Sequence, residues 1–272
     1  MKGRTVRTAF FQSKNLNFVL WNNNTNYLAY SIRKVHALKL TPDMHKLGIY
    51  RESDSMSELI SDNYRSLLVM SRFGIGLGVG EKSIGEVCRE NGVDTKTFLT
   101  VVNMLLDEDT SGHSYKDISV ESLMSYLHNS HDYFLQFRLP GIRQKLFETV
   151  GSVDDLSRAI MSYFDEYVFE VNKHMKYEET VVFPYVKELL AGRKRSSYNI
   201  TIFQKHHDQV ESRLTEFKNI LIKYYPAEST NEINSILFDI FNCENDLASH
   251  NAVEDYLFVP AIMELEKDIF NE

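Results

Sequence analysis

Over most of its length this chain spaces its apolar side chains with a helical period. From residue 118 onward they recur every three or four positions, in long runs over about 118–149, 153–191, 197–224 and 230–270. The breaks "LAGRKRSS" at 190–197 and "YYPAES" at 224–229 are short enough to make successive helices antiparallel. Ser152-x-x-Asp155 and Ser229-x-x-Glu232 read as start signals for the second and fourth runs. No stretch shows the two-residue period of a strand. The expected fold is all-α, with an up-down-up-down four-helix bundle as its main body.

Ahead of the bundle the helical patterns are shorter. A capping box, Ser55-x-x-Glu58, opens a run to about Phe73 with Leu59, Ile60, Tyr64, Leu67 and Leu68 on one face. "GIGLGVG" (74–80) interrupts it. A second box, Ser83-x-x-Glu86, starts a short helix ended by Gly92, and another helix covers about 95–106. These three make a small N-terminal helical domain assigned to 46–108. "LDEDTSGHSYKD" (106–117) has the turn formers and charge of a linker, and the bundle domain is assigned to 115–272. Residues 1–45, Asn-rich around "LWNNNTNYLAY", show no sustained period and read as a poorly ordered lead-in.

Composition narrows the function classes. A formal net charge of −8 gives no basic field for nucleic acid or anionic membrane, so neither is expected as a partner. No apolar stretch approaches the roughly 20 residues of a membrane span. The basic start "MKGRTVRTAFFQSKN" has too short an apolar run for a secretory signal, and two cysteines, Cys88 and Cys243, make no disulfide framework. The expected compartment is the cytoplasm. "GIGLGVG" lacks the spacing of a phosphate loop. "SIGEVCRENGVDTKTFLTVV" has the length of a helix-turn-helix, but its mixed charges favour a plain packing unit.

The chemistry is written in a repeat. "HMKYEETVVFP" (174–184) and "HNAVEDYLFVP" (250–260) both spell His, three residues, Glu, five residues, Pro, in a chain with only nine His and five Pro. His174 and Glu178 share a helix face, as do His250 and Glu254. Each pair lies on or beside an apolar stripe, where an uncompensated carboxylate costs several kcal/mol. Two such carboxylates facing each other in a bundle core repel unless a cation lies between them. The other two helices carry His128 and His131 in "YLHNSHDYF", and His206 and His207 in "FQKHHDQVESRL", so every helix has an imidazole near mid-length. Four imidazoles with two carboxylates and no thiolate suit iron or manganese at a two-metal centre better than structural zinc. Two bridging glutamates and two His per metal leave the ions under-coordinated, so an oxo or hydroxo bridge and an open position for a small ligand are expected. Glu211, four residues after His207, reads as a surface residue, and Cys243 as a core cysteine.

These motifs, with "YLHNSHDYFLQFRLP" and "HHDQVESRL", make the whole of 118–270 resemble hemerythrin-like bundles, and within them the di-iron proteins that repair iron-sulfur centres. The resemblance implies His131, His174, Glu178, His207, His250 and Glu254 as the metal ligands, with the glutamates bridging and His128 and His206 as neighbours. Pro140 falls one residue late against the family pattern, which leaves the choice between His128 and His131 open. The short N-terminal domain also resembles that of the family, which carries adjacent cysteines in its glycine-rich loop. Gly78 and Val79 stand there in this chain, which puts any thiol step in doubt.

The function this implies is non-haem di-iron iron-sulfur cluster repair, donating iron to iron-sulfur proteins under oxidative or nitrosative stress. The alternative is binding or sensing of O2 or NO at the same site. A third possibility is oxidase or peroxidase chemistry, so the sequence leaves open whether the protein is an enzyme.

Overall fold

The computed structural model describes residues 49–106, 118–151, 154–193, 198–206, 208–226 and 230–270. Among them all regular structure is helical, apart from one isolated bridge between Ser55 and Ser83. Four short helices come first: α1 (Met56–Asp62), α2 (Ser66–Arg72), α3 (Ile84–Glu90) and α4 (Thr95–Leu106). The run expected over 55–73 is thus two helices. Asn63 breaks it by leaving the helical region at φ −144°, and its side chain and carbonyl then take up the Arg65 and Ser66 amides. The Ser83 box forms in full: Glu86 donates its amide to the Ser83 hydroxyl and its carboxylate accepts from the Ser83 amide. At Ser55 the hydroxyl accepts from the Glu58 amide.

Four rods follow. α5 runs from Val120 to Val150, α6 from Asp155 to Leu190, α7 covers Asp208–Tyr224 after a 3-10 turn at Ile200–His206, and α8 runs from Thr230 to Phe270. The rods close a ring in which α5 packs on α6, α6 on α7, α7 on α8 and α8 on α5, the up-down-up-down bundle. Asp154 caps α6, accepting from the Ser157 amide at 2.7 Å, one position before the expected box would place a carboxylate. Gly151 ends α5 at φ +73°, in the left-handed region that glycine enters without a Cβ penalty.

The buried apolar side chains fall into two clusters. One spans α1–α4 and one end of the bundle, through residues such as Phe98, Leu127, Val182, Phe203, Val253 and Phe258. The other fills the far half of the bundle with Phe134, Phe164, Met175, Leu214, Phe217 and Leu247. The changeover on α5 lies between Leu127 and Phe134, on α6 between Met175 and Val182, and on α8 between Leu247 and Val253. A polar layer occupies those three intervals. No helix of the described residues is long and apolar enough to cross a membrane.

Candidate metal centre

Three of the rods change their winding at this layer. α5 is π-helical at Tyr133–Arg138, α6 at Glu178–Val182 and α8 at Glu254–Phe258, and the α-helix resumes at Leu139, Phe183 and Val259. The second residue of each resumed helix is a proline: Pro140, Pro184 and Pro260. A proline has no N–H to donate and its ring crowds the carbonyl four residues back, so the turn before it widens. The residue before each proline reaches one position further instead. Leu139 donates to the Phe134 carbonyl, Phe183 to Glu178, and Val259 to Glu254. The five-residue gap between Glu and Pro in the repeated motif is therefore the spacing that makes the glutamate the first residue of a wide turn. In the same register α5 carries Ser130 and Phe134, so its imidazole, His131, is offset by one residue.

His131, Glu178, His250 and Glu254 are buried, and each offers a ligand atom within 4.8 Å of all the others. His131 Nε2 lies 2.8 Å from Glu178 Oε2, His174 Nε2 lies 2.9 Å from Glu178 Oε1, and His250 Nε2 lies 3.2 Å from Glu254 Oε1. These contacts have ion-pair distances, yet His131 Nε2, His250 Nε2 and both Glu178 oxygens are sealed from water without a properly directed hydrogen bond. Imidazole nitrogens and carboxylate oxygens are pointed at a common centre rather than at donors, the arrangement that a cation completes.

The far sides of the rings are held. His131 Nδ1 lies 2.7 Å from Glu179 Oε1, and His250 Nδ1 lies 3.1 Å from the Ser130 hydroxyl. A proton fixed on Nδ1 leaves Nε2 as the metal-facing lone pair, the usual outer support of a histidine ligand. His131 stacks on Phe183 with ring centroids 5.6 Å apart and meets the His250 ring edge-on at 5.2 Å, while His174 stacks over Phe203.

The charges follow. Burial disfavours the His131 imidazolium, but Glu178 and Glu179 more than reverse this and push its pKa up to about 9. Burial likewise raises the Glu178 carboxyl, but the His131 and His174 imidazoles close beside its two oxygens hold it well below its usual range. His250 goes the other way. Its burial, then the nearby positive charge of His131, keeps it neutral far below the ordinary histidine value. Metal-free, the layer thus stores a proton on His131 that a cation must displace.

The structure brings His131, His174, Glu178, His250 and Glu254 together. His128, one turn earlier on α5, is 53% exposed and lies 2.9 Å from Glu179 through Nδ1, away from the cluster. His207 and the side chains of His206 and Glu211 lie outside the described residues. Cys243 is buried in the far core, and its thiol is pushed up to about 12 by burial. Gly78 adopts φ +92° in the loop between α2 and α3, a conformation that a cysteine there would strain.

Two outer supports, Glu179 and Ser130, were not anticipated from the sequence. Their signal was available in the three-residue spacing of His128 and His131, which sets two imidazoles over one acidic position, and in the Ser130/His250 match of the motif registers.

A family model described as the hemerythrin HHE cation-binding domain matches residues 122–262. The iron-sulfur cluster repair protein ScdA of Staphylococcus haemolyticus (strain JCSC1435) is 20% identical over 209 residues, covering 74% of this chain and 94% of its own length.

Proposed function

The chain belongs to the hemerythrin HHE cation-binding family, and from that premise we propose that it holds two iron ions and donates iron to damaged iron-sulfur proteins under oxidative or nitrosative stress. The ligand set we propose is His131, His174, Glu178, His207, His250 and Glu254, with the two glutamates bridging. The observation that carries the metal half of the reading is the polar layer. Two buried carboxylates and imidazoles with inward nitrogens are costly in an apolar core and become favourable around a multiply charged cation. The α7 side of the ring changes core cluster between Phe203 and Leu214, the interval in which the sequence carries His206 and His207.

Bound there, iron would supply a labile, redox-active cation able to take small ligands such as O2 or NO. The protein's part is to keep it dry, neutralise it and orient its ligands. Glu179 and Ser130 fix the ring orientations, and Phe183 and Phe134 wall the layer off from water. The repair half is supported by the similarity to an iron-sulfur cluster repair protein along most of both chains.

The test is twofold. Protein purified without oxygen should contain close to two irons per chain and should restore activity to an iron-sulfur enzyme that has lost its cluster. A Glu178→Ala/Glu254→Ala variant should do neither. One zinc and no iron, after growth with both metals available, would sink the di-iron assignment. Two irons with no restoration beyond that of the metal-poor variant would move the reading to O2 or NO sensing, which reversible spectral changes on adding either gas would then support.

A further inference from the structure

Arg72 links the N-terminal helices to the polar layer. Arg72, the last residue of α2, is 3% exposed and extends into the bundle between α5 and α8. Its guanidinium lies 2.6 Å from Asp246 Oδ1 and 3.3 Å from the Tyr126 hydroxyl, and it sits over the rings of Tyr126, Tyr133 and Phe134 at 5.4–5.7 Å. The Arg72 carbonyl accepts from the Asn129 side chain at 2.7 Å.

Three of these partners, Asp246, Asn129 and Phe134, are one step from an imidazole of the layer. Asp246 is one helical turn before His250 on α8. Asn129 precedes Ser130, whose hydroxyl meets His250 Nδ1, and lies two residues before His131. Phe134 meets both the His250 ring, at 6.0 Å, and the Arg72 cation, at 5.4 Å.

We infer that Arg72 is a positioning residue for the metal centre, through which the N-terminal helices set how firmly the bundle holds its metal. The inference rests on the iron-binding half of the reading above. Arg72 Nε and Asp246 Oδ2 are sealed from water without a hydrogen bond, so the pair is buried but incompletely satisfied. A buried ion pair in that condition contributes little over apolar residues of the same volume. Its effect is directional. The fork fixes the α8 turn before His250, and the Asn129–Arg72 bond fixes the α5 turn that presents Ser130 and His131. The glycine-rich loop of these helices carries no cysteine and Cys88 of α3 is buried, and Arg72 gives them another way to act on the metal.

The experiment compares wild type with Arg72→Met, Asp246→Asn, the double variant Arg72→Met/Asp246→Leu, and Arg138→Met. The last breaks the Arg138–Asp239 bridge between the same two rods, away from the imidazoles. Each is loaded with ferrous iron, checked for fold by circular dichroism, and followed for iron release to a ferrous chelator and for its iron absorption bands. Removing outer supports of metal ligands lowers metal affinity by about 10–100-fold, so release from Arg72→Met and Asp246→Asn should quicken by about tenfold with shifted bands. Arg138→Met should release at the wild-type rate.

The double variant restores an apolar, uncharged contact and carries the test if either single variant fails to fold. Folded protein that still releases iron fast supports positioning, and wild-type release from it overturns the inference. Equal acceleration by Arg138→Met would also overturn it, since loosening any bridge would then suffice. A wild type that takes up no iron defeats the metal-centre reading itself, which is a different result from iron held equally well by all the variants.

Discussion

Glu179 Oε1 lies 2.7 Å from Nδ1 of buried His131 and 2.9 Å from Nδ1 of exposed His128, so a single carboxylate oxygen serves both imidazoles of α5. His131 faces the centre through Nε2, and His128 is the outer arm of the same contact. The two histidines that the sequence presents as rivals thus occupy successive layers.

Replacing Glu179 with Gln keeps the size of that support and removes its charge. Metal affinity should fall by about tenfold, in the range found for outer-shell carboxylates. His128→Ala should change it much less, and His131→Ala should disturb the iron absorption bands most. Competition with a chelator of known affinity measures all three. A His128 effect as large as that of His131 would put both imidazoles on the metal.

Glu178→Ala and Glu254→Ala should each reduce the iron content and also the gap in melting temperature between loaded and metal-free protein. Free metal at a hundredfold excess over Kd stabilises by about 2.7 kcal/mol. In a domain of this size that corresponds to roughly 5–10 °C. Calorimetry with and without metal reads the gap directly. An undiminished gap in either variant would remove that glutamate from the site.

The raised pKa of His131 gives metal-free protein a stability present in full below the ordinary histidine value of about 6.5. That contribution is lost as pH rises through about 9. Melting temperature without metal should therefore decline between about pH 6.5 and 9. The displaced proton makes metal binding run the opposite way, so manganese(II) affinity should rise across the same window. Titrations at three pH values would show it, and a flat affinity profile would exclude His131 as the proton donor.

Pro184→Ala and Pro260→Ala restore the amides whose absence goes with the wide turns. The metal-free protein should gain on the order of 1 kcal/mol, below the ~3 kcal/mol cost of an unrelieved interior proline. Metal binding should weaken, because closing the turn rotates Glu178 or Glu254 out of register. Chemical denaturation of metal-free protein and metal titration give the two numbers. Tighter metal binding in either variant would mean that the wide turn strains the site instead of building it.

The four rods were legible because each carries a long apolar stripe and ends near Gly, Pro or a polar cap. The His/Glu pairs were legible because i,i+4 spacing is enough to place two side chains on one face. The wide turns were not read, since a helical period is the same before and after a one-residue adjustment and only the repeated distance to proline betrays it. The break at Asn63 escaped because Leu59, Tyr64 and Leu67 keep a plausible stripe across it. Arg72 escaped for another reason: its partners Tyr126 and Asp246 are 54 and 174 residues away, and no local pattern marks a cation for burial.

Among the described residues a layer of imidazoles and carboxylates lies between the two apolar clusters, and this bears on how the molecule comes apart. Without metal, the seam between the clusters is held by groups that gain from being hydrated, so amide exchange should report two blocks opening at different free energies. The block carrying α1–α4 and the ends of the rods would be free to open while the Phe164–Phe217 block stays closed. Metal bound in the seam would tie residues of α5, α6 and α8 to one another and merge the blocks into a single cooperative transition. Loss of the metal would then uncouple them again, a change in the protein's own mechanics.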